Sequence, residues 1–395
     1  MQYAQIPPGA SSQPTPFQVS IPDSQLARFQ QQLALAELAP ATYESLQEDE
    51  SLSLGISHAW LSNAVHTWKT QYDWRQTETR INSFPNYQTA VTDEAGRDYN
   101  IHFVALFSEK PDAIPIVLLH GWPGIFMEFL PALDILRRRY TPSTLPYHII
   151  VPSIVGYCFS SGPSTTSNTT LLDVAWAINE VMISLGFGAG YLAQGGDIGS
   201  YLARILGSKY EACKAVHCKS KTSNDPPSLS LSEIEQAALD RTGLFSMTNF
   251  AYALEQATRP ATIGFVLSTN PVALLSWIGE KYLSWSDQTP SLSVILDAAS
   301  VYWFTKTIAR CIYPYRDTLQ VLYHDLPEYF VPKPLGFSFF PYEILPAPIS
   351  WVRTTGNLVW SRIHTEGGHF AALERPDVFL QDLEDFAGQV WPWSE

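Results

Sequence analysis

The segment Gln194-Gly195-Gly196-Asp197-Ile198-Gly199-Ser200 sets a carboxylate among closely spaced glycines, where one kind of patterning gives way to another. Tyr191-Leu192-Ala193 can end a strand, and Tyr201-Leu202-Ala203-Arg204-Ile205-Leu206 opens an apolar-rich helix. Glycines flanking such a junction mark a tight strand-to-helix turn, because no Cβ fits close to it. A turn of this kind usually presents a serine, and Asp in its place narrows the chemistry. A serine that displaced a leaving group at saturated carbon would end as a stable ether. A carboxylate ends as an ester, which water cleaves by attacking the carboxylate's own carbonyl carbon. Asp197 therefore points to hydrolysis at an sp3 carbon, with an epoxide or an alkyl halide as electrophile. Outside this context it would read as an ordinary turn aspartate.

Ester hydrolysis needs a base and a group to orient it, and in folds with such an elbow both follow late strands, acid before histidine. Glu343, in Phe340-Pro341-Tyr342-Glu343, follows the strand-like run Phe337-Ser338-Phe339-Phe340. His369, in Thr365-Glu366-Gly367-Gly368-His369-Phe370, follows Leu358-Val359-Trp360-Ser361. Asp325, Glu328 and Glu366 rival Glu343 by position alone, and its placement after a late strand favours Glu343. Of nine histidines, His58, His66, His102, His148, His217, His324 and His364 carry no motif, and His120 reads as a residue that shapes its turn. The backbone N–H groups of Ile198 and Trp122 are the natural donors to an oxyanion. Opening an epoxide leaves an alkoxide, so a proton donor is also required, and a phenol of pKa near ~10 suits. There are 19 tyrosines, and spacing does not select among them.

The elements that must hold these groups are legible in outline. The first segment, to about Tyr99, opens with a Pro/Ser/Gln-rich arm. Ser20-Ile21-Pro22-Asp23 then leads into Leu26, Phe29 and Leu33 at helical spacing. Trp60, Leu61, Val65 and Trp68 mark a second amphipathic stretch, and Arg80 to Tyr87 leaves helix at Pro85. Strand signals follow at Ile101–Leu106, Ile114–Leu119 and Tyr147–Val151, separated by helical patterns. The continuous apolar run at Ile114–Leu119 suits a strand buried on both faces of a parallel sheet. Between Asn224-Asp225-Pro226-Pro227 and about Asp317 the strand signal vanishes. Phe245, Phe250, Tyr252, Trp277, Tyr282, Trp285, Tyr302, Trp303 and Phe304 make that stretch helical and aromatic, as a lid would be. The pattern predicts a doubly wound α/β sheet with its chemistry at the strands' carboxyl ends.

The 395 residues suffice for about two to three domain-sized units or one large domain with insertions. A hydrophobic share of 46% against 16% charged excludes wholesale disorder. A net charge of −14 with no basic run argues against nucleic-acid binding. Cys158, Cys213, Cys218 and Cys311 form no zinc pattern and read as buried free thiols, in keeping with a reducing compartment. No signal peptide, retention address or apolar run of ~18 residues is visible, so a cytoplasmic chain without a membrane span is expected.

Taken together, the motifs resemble the epoxide hydrolases of the microsomal type, particularly their soluble fungal members, over essentially the whole chain. Tyr72-Asp73-Trp74-Arg75 and Asn82-Ser83-Phe84-Pro85 are similar to that family's N-terminal domain. His120-Gly121-Trp122-Pro123-Gly124 is similar to its HGWPG turn, and Gly195-Gly196-Asp197-Ile198-Gly199 to its elbow. Gly367-Gly368-His369-Phe370-Ala371-Ala372-Leu373-Glu374 resembles its C-terminal histidine motif. Cys158 stands where many relatives have Gly, at a position without a chemical role. The resemblance implies an α/β-hydrolase fold with a mostly parallel central sheet, an inserted helical lid and an N-terminal extension. It divides the chain into an extension (1–99), a first core part (100–224), a lid (225–317) and a second core part (318–395). It selects Tyr252 and Tyr315 as the proton donors and implies a cis Trp122-Pro123 bond. It further implies a metal- and cofactor-free hydrolysis of a small apolar epoxide to a vicinal diol, with a homodimer left open. Two alternatives stand beside it: a haloalkane dehalogenase, disfavoured by the donorless Ile198, and a non-catalytic small-molecule binder. Without a serine at the elbow, an esterase fits poorly.

Overall fold

In a computed structural model describing residues 2–47, 54–219 and 231–391, nine strands form one sheet in the order β1-β2-β3-β5-β4-β6-β7-β8-β9. They are β1 (Thr15–Pro16), β2 (Asn86–Thr92), β3 (Asp98–Leu106), β4 (Ile114–Leu119), β5 (Tyr147–Pro152), β6 (Tyr191–Gly195), β7 (Cys213–Cys218), β8 (Val331–Phe339) and β9 (Gly356–Ile363). From β5 to β9 every neighbouring pair is parallel, while β1, β2 and β3 add antiparallel strands at one edge. The parallel strands are buried because helices cover both faces, which is why β4 and β5 read as continuous apolar runs.

Three helices precede the parallel part: α1 (Asp23–Leu35), α2 (His58–Thr70) and α3 (Trp74–Asn82). Ser57 caps α2 by accepting from the Trp60 N–H, and Asp73 caps α3 through the Arg75 N–H. The crossover helices are α4 (Leu130–Arg139), α5 (Leu171–Met182) and α6 (Ile198–Lys209). Thr170 and Asp173 close a reciprocal capping box at the start of α5.

After β7 the chain leaves the sheet for a run of helices: α7 (Glu233–Thr248), α8 (Ala251–Thr258), α9 (Pro260–Thr269), α10 (Pro271–Trp285), α11 (Leu292–Phe304), α12 (Ile308–Cys311) and α13 (Pro314–Thr318). The sequence boundary at Asn224-Asp225-Pro226-Pro227 lies outside the described residues, as does Pro392–Glu395. The helices α14 (Ile349–Val352), α15 (Ala371–Glu374) and α16 (Pro376–Val390) complete the second half of the core.

The N-terminal helices bind directly to the lid. Trp68 Nε1 donates to Ser300 Oγ at 3.0 Å, and Tyr72 Oη donates to Asp297 Oδ1 at 2.9 Å. Phe29 and Trp74 both pack edge-on against Phe304, at 5.1 and 4.8 Å between ring centroids. The four cysteines are buried and free. Among the described residues no single helix is long and apolar enough to cross a membrane.

Candidate active site

Asp197 sits between the end of β6 and the first residue of α6, at φ 50° and ψ −128°. A non-glycine residue in that region is strained by about 1–3 kcal/mol, and the surrounding packing must hold it there. Gly199 permits this: a Cβ there would lie 2.1 Å from the Leu119 carbonyl oxygen, so only glycine lets α6 start against β4. Gly121 plays the same part on the facing turn, where a Cβ would lie 2.2 Å from Asp197 Oδ1. The carboxylate is therefore held against the His120–Gly124 turn. The Trp122 N–H donates to Asp197 Oδ1 at 2.7 Å, and the Ile198 N–H also hydrogen-bonds the carboxylate. Trp122-Pro123 is a cis peptide bond.

His369 and Glu343 come from the loops after β9 and β8. A bridge between Tyr342 and Gly368 ties these loops together, with the Tyr342 N–H donating to the Gly367 carbonyl at 3.1 Å. Glu343 Oε1 lies 2.6 Å from His369 Nδ1, and His369 Nε2 lies 3.9 Å from Asp197 Oδ2. The imidazole is held by the lid as well: its backbone N–H donates to the Trp285 carbonyl at 3.0 Å, and the Trp285 ring meets it edge-on at 5.0 Å.

Burial sets the site's electrostatics, and the neighbours decide the sign. Burial raises the Asp197 pKa, and His369 with the Ile198 and Trp122 N–H groups only partly offsets it. Burial works against ionised Glu343 too, but His369 and Lys219 outweigh it and hold that carboxyl at about 2. For His369, burial would lower the pKa, yet the Glu343 carboxylate leaves it raised. His120 is neutral, pushed down by burial to about 4; its Nε2 accepts from the Ile154 N–H and its Nδ1 faces the Gly121 carbonyl. It shapes the turn.

Tyr252, near the start of α8, and Tyr315, on α13, meet above Trp122. The Tyr252 ring stacks on Trp122 at 5.2 Å, Tyr315 meets Trp122 edge-on at 5.7 Å, and the two phenol rings lie 5.8 Å apart. Tyr315 Oη is buried without a well-aligned hydrogen-bond partner, although the Tyr252 hydroxyl is near enough to influence its ionisation. Burial, with Asp197 adding to it, keeps both phenols well above the ordinary tyrosine range and hence protonated. The seven residues singled out from sequence thus converge on one point between sheet and lid. A cavity of about 850 Å³ lies against the N-terminal arm and shares no residue with this site.

The chain matches the family model described as epoxide hydrolase N terminus over residues 14–129, and that of the alpha/beta hydrolase fold over residues 114–292. The structure of Aspergillus niger epoxide hydrolase is 48% identical and superimposes with a TM-score of 0.94, covering 99% of this chain and 100% of the other. A Dothistroma septosporum protein whose name places it provisionally among epoxide hydrolases is 43% identical over 390 residues, 97% of this chain and 92% of its own. The chain belongs to the epoxide hydrolases. Juvenile hormone epoxide hydrolase of Bombyx mori, 22% identical with a TM-score of 0.83 over 96% of this chain and 95% of its own, shares the fold.

In this epoxide hydrolase one buried charge was not anticipated. Lys219 follows β7 and donates through Nζ to Glu343 Oε2 at 3.1 Å and to the His369 carbonyl. It thus ties the Glu343 carboxylate to the backbone of His369. A lysine directly after a parallel strand stands where active-site groups gather. That signal was hidden because Cys213-Lys214-Ala215-Val216-His217-Cys218 does not read as a strand.

Proposed function

We propose that this epoxide hydrolase acts in two covalent steps, with Asp197 as nucleophile. The observation that carries the reading is the division of labour between the two Asp197 oxygens. Oδ1 is held by the Trp122 N–H, while Oδ2 faces His369. Oδ2 attacks a ring carbon, the C–O bond of the epoxide breaks, and the departing oxygen takes a proton from Tyr252 or Tyr315. Alkylation removes the Asp197 charge, one of the causes that holds both phenols protonated. Proton donation therefore becomes easier as the alkoxide forms.

His369 Nε2 then takes a proton from water, whose oxygen attacks the Asp197 carbonyl carbon. The oxyanion that forms on Oδ1 stays with the Trp122 and Ile198 N–H groups. Collapse breaks the bond to the alkyl oxygen, which leaves with the proton from His369. Glu343 orients the imidazole and stabilises its charged form. The proton released as Asp197 ionises again restores the phenol. The aromatic lid supports a small apolar epoxide as substrate. The four free thiols support a reducing, cytoplasmic setting.

Two measurements on one reaction test this. A single turnover in 18O-water is expected to leave the diol unlabelled and to put the label in Asp197, as peptide mass spectrometry will read. His369→Gln is expected to trap enzyme carrying one substrate mass, and Asp197→Asn to carry none in the short term. Label in the first-turnover diol means direct attack of water on the epoxide and overturns the reading.

A further inference from the structure

Beside Asp197 lies a small cavity with room for about one water molecule. Its lining includes Asp197, His369, Lys219 and one acid the two-step scheme does not use, Glu128. Glu128 follows the His120–Gly124 turn, is only half-buried, and lines both this cavity and a second one beside Met127 and Tyr282. Its carboxyl group makes no hydrogen bond or ion pair to another described residue. It folds back over the turn, where a Cβ on Gly124 would lie 2.1 Å from Glu128 Oε2. A carboxyl group left without a partner beside a water-sized polar space needs a donor, and water in that space supplies one.

The geometry points to Glu128 as the residue that positions the hydrolytic water, accepting the O–H that His369 does not take. The inference rests on the two-step reading. In the second step water gives one proton to His369 Nε2 and its oxygen forms the new bond to the Asp197 carbonyl carbon. A second acceptor fixes the other O–H, so that a lone pair faces that carbon when the ester is present. Lys219 and His369 favour the ionised acceptor against the burial that otherwise raises the Glu128 pKa, which lies at about 7. Glu128 is a positioning residue, since its proton inventory is unchanged over the cycle.

The test separates the half-reactions in rapid-quench experiments with an apolar epoxide, following alkyl-enzyme by mass spectrometry. Glu128→Met keeps side-chain length but removes the acceptor. Alkylation is expected within about threefold of wild type, whereas ester hydrolysis slows at least about tenfold and alkyl-enzyme accumulates. Glu128→Gln restores a neutral acceptor and is expected to recover part of the hydrolysis rate, which a packing role would not require. Gly124→Ala, which displaces the carboxyl group without removing it, is expected to show the same split and serves if Glu128→Met fails to fold. Hydrolysis at the wild-type rate in these variants, or an equal loss in both steps, overturns the inference. A wild-type enzyme that forms no ester would instead overturn the two-step reading.

Discussion

At the scale of residues, the site balances charges that burial alone would extinguish. Two backbone N–H groups and His369 favour the Asp197 carboxylate against its burial, and Glu343 stays ionised because His369 and Lys219 face it. The lid phenols are the complementary case, since their surroundings keep them as acids. If both donate to the epoxide oxygen, losing one leaves a single hydrogen bond to the developing charge. Tyr252→Phe or Tyr315→Phe should then slow alkylation by roughly a hundredfold, about 3 kcal/mol, and the double variant should nearly stop it. Both changes keep ring volume, so packing on Trp122 survives. Stopped-flow alkylation rates decide it, and near wild-type alkylation by the double variant would assign proton donation elsewhere. The two phenols also mark where sequence reading reached its limit. That Asp197, Glu343 and His369 come together was legible because motif and chain order name them. Tyrosine is common and fits any aromatic helix, so only family resemblance separated Tyr252 and Tyr315 from packing residues.

At the scale of elements, legibility followed unbroken apolar patterning. β4 and β5 are covered on both faces and announce themselves as apolar runs. β2 (Asn-Tyr-Gln-Thr-Ala-Val-Thr) lies near the antiparallel edge with a partly exposed pattern, and β7 is broken by Lys214 and His217. Both strands escaped the reading, and Lys219 escaped with β7. The lid was recognisable as helical, but not the way α3 and α11 are joined through it. Asp297 on α11 accepts from Tyr72 Oη and Thr77 Oγ1, binding the N-terminal helices to the lid from one carboxyl oxygen. Asp297→Ala removes both bonds and leaves the two hydroxyls each other, 2.9 Å apart, with Ser300 still beside Tyr72. A loss of about 2–4 kcal/mol is expected from two hydrogen bonds of this kind. Urea unfolding should show a lower midpoint at unchanged slope. An unchanged midpoint would mean that the aromatic contacts of Phe29 and Trp74 hold the lid without this clamp.

At the scale of the whole molecule, extension, sheet and lid are tied to one another on every side. The sheet takes β1 and β2 from the first hundred residues. The lid answers to the core through Glu374, whose Oε2 accepts from the Asp287 and Gln288 N–H groups at 2.7 and 3.1 Å. Thr307 Oγ1 accepts from the Cys158 N–H at 2.9 Å, and Asp317 Oδ2 from the Leu171 N–H at 2.7 Å. His369 itself hangs on the Trp285 carbonyl. A chain of this length ordinarily unfolds in stages, because separate cores melt separately. Here no segment can leave without exposing apolar surface on the other two, so a single cooperative transition is expected. The twelve tryptophans report from all three regions, with Trp68 and Trp74 in the extension, Trp277 and Trp285 in the lid, and Trp122 and Trp360 in the core. Urea transitions followed by tryptophan fluorescence and by far-ultraviolet circular dichroism should therefore coincide. Resolved transitions, with a fluorescence change preceding loss of helix, would show that the lid melts alone and that these ties are weaker than the core they join.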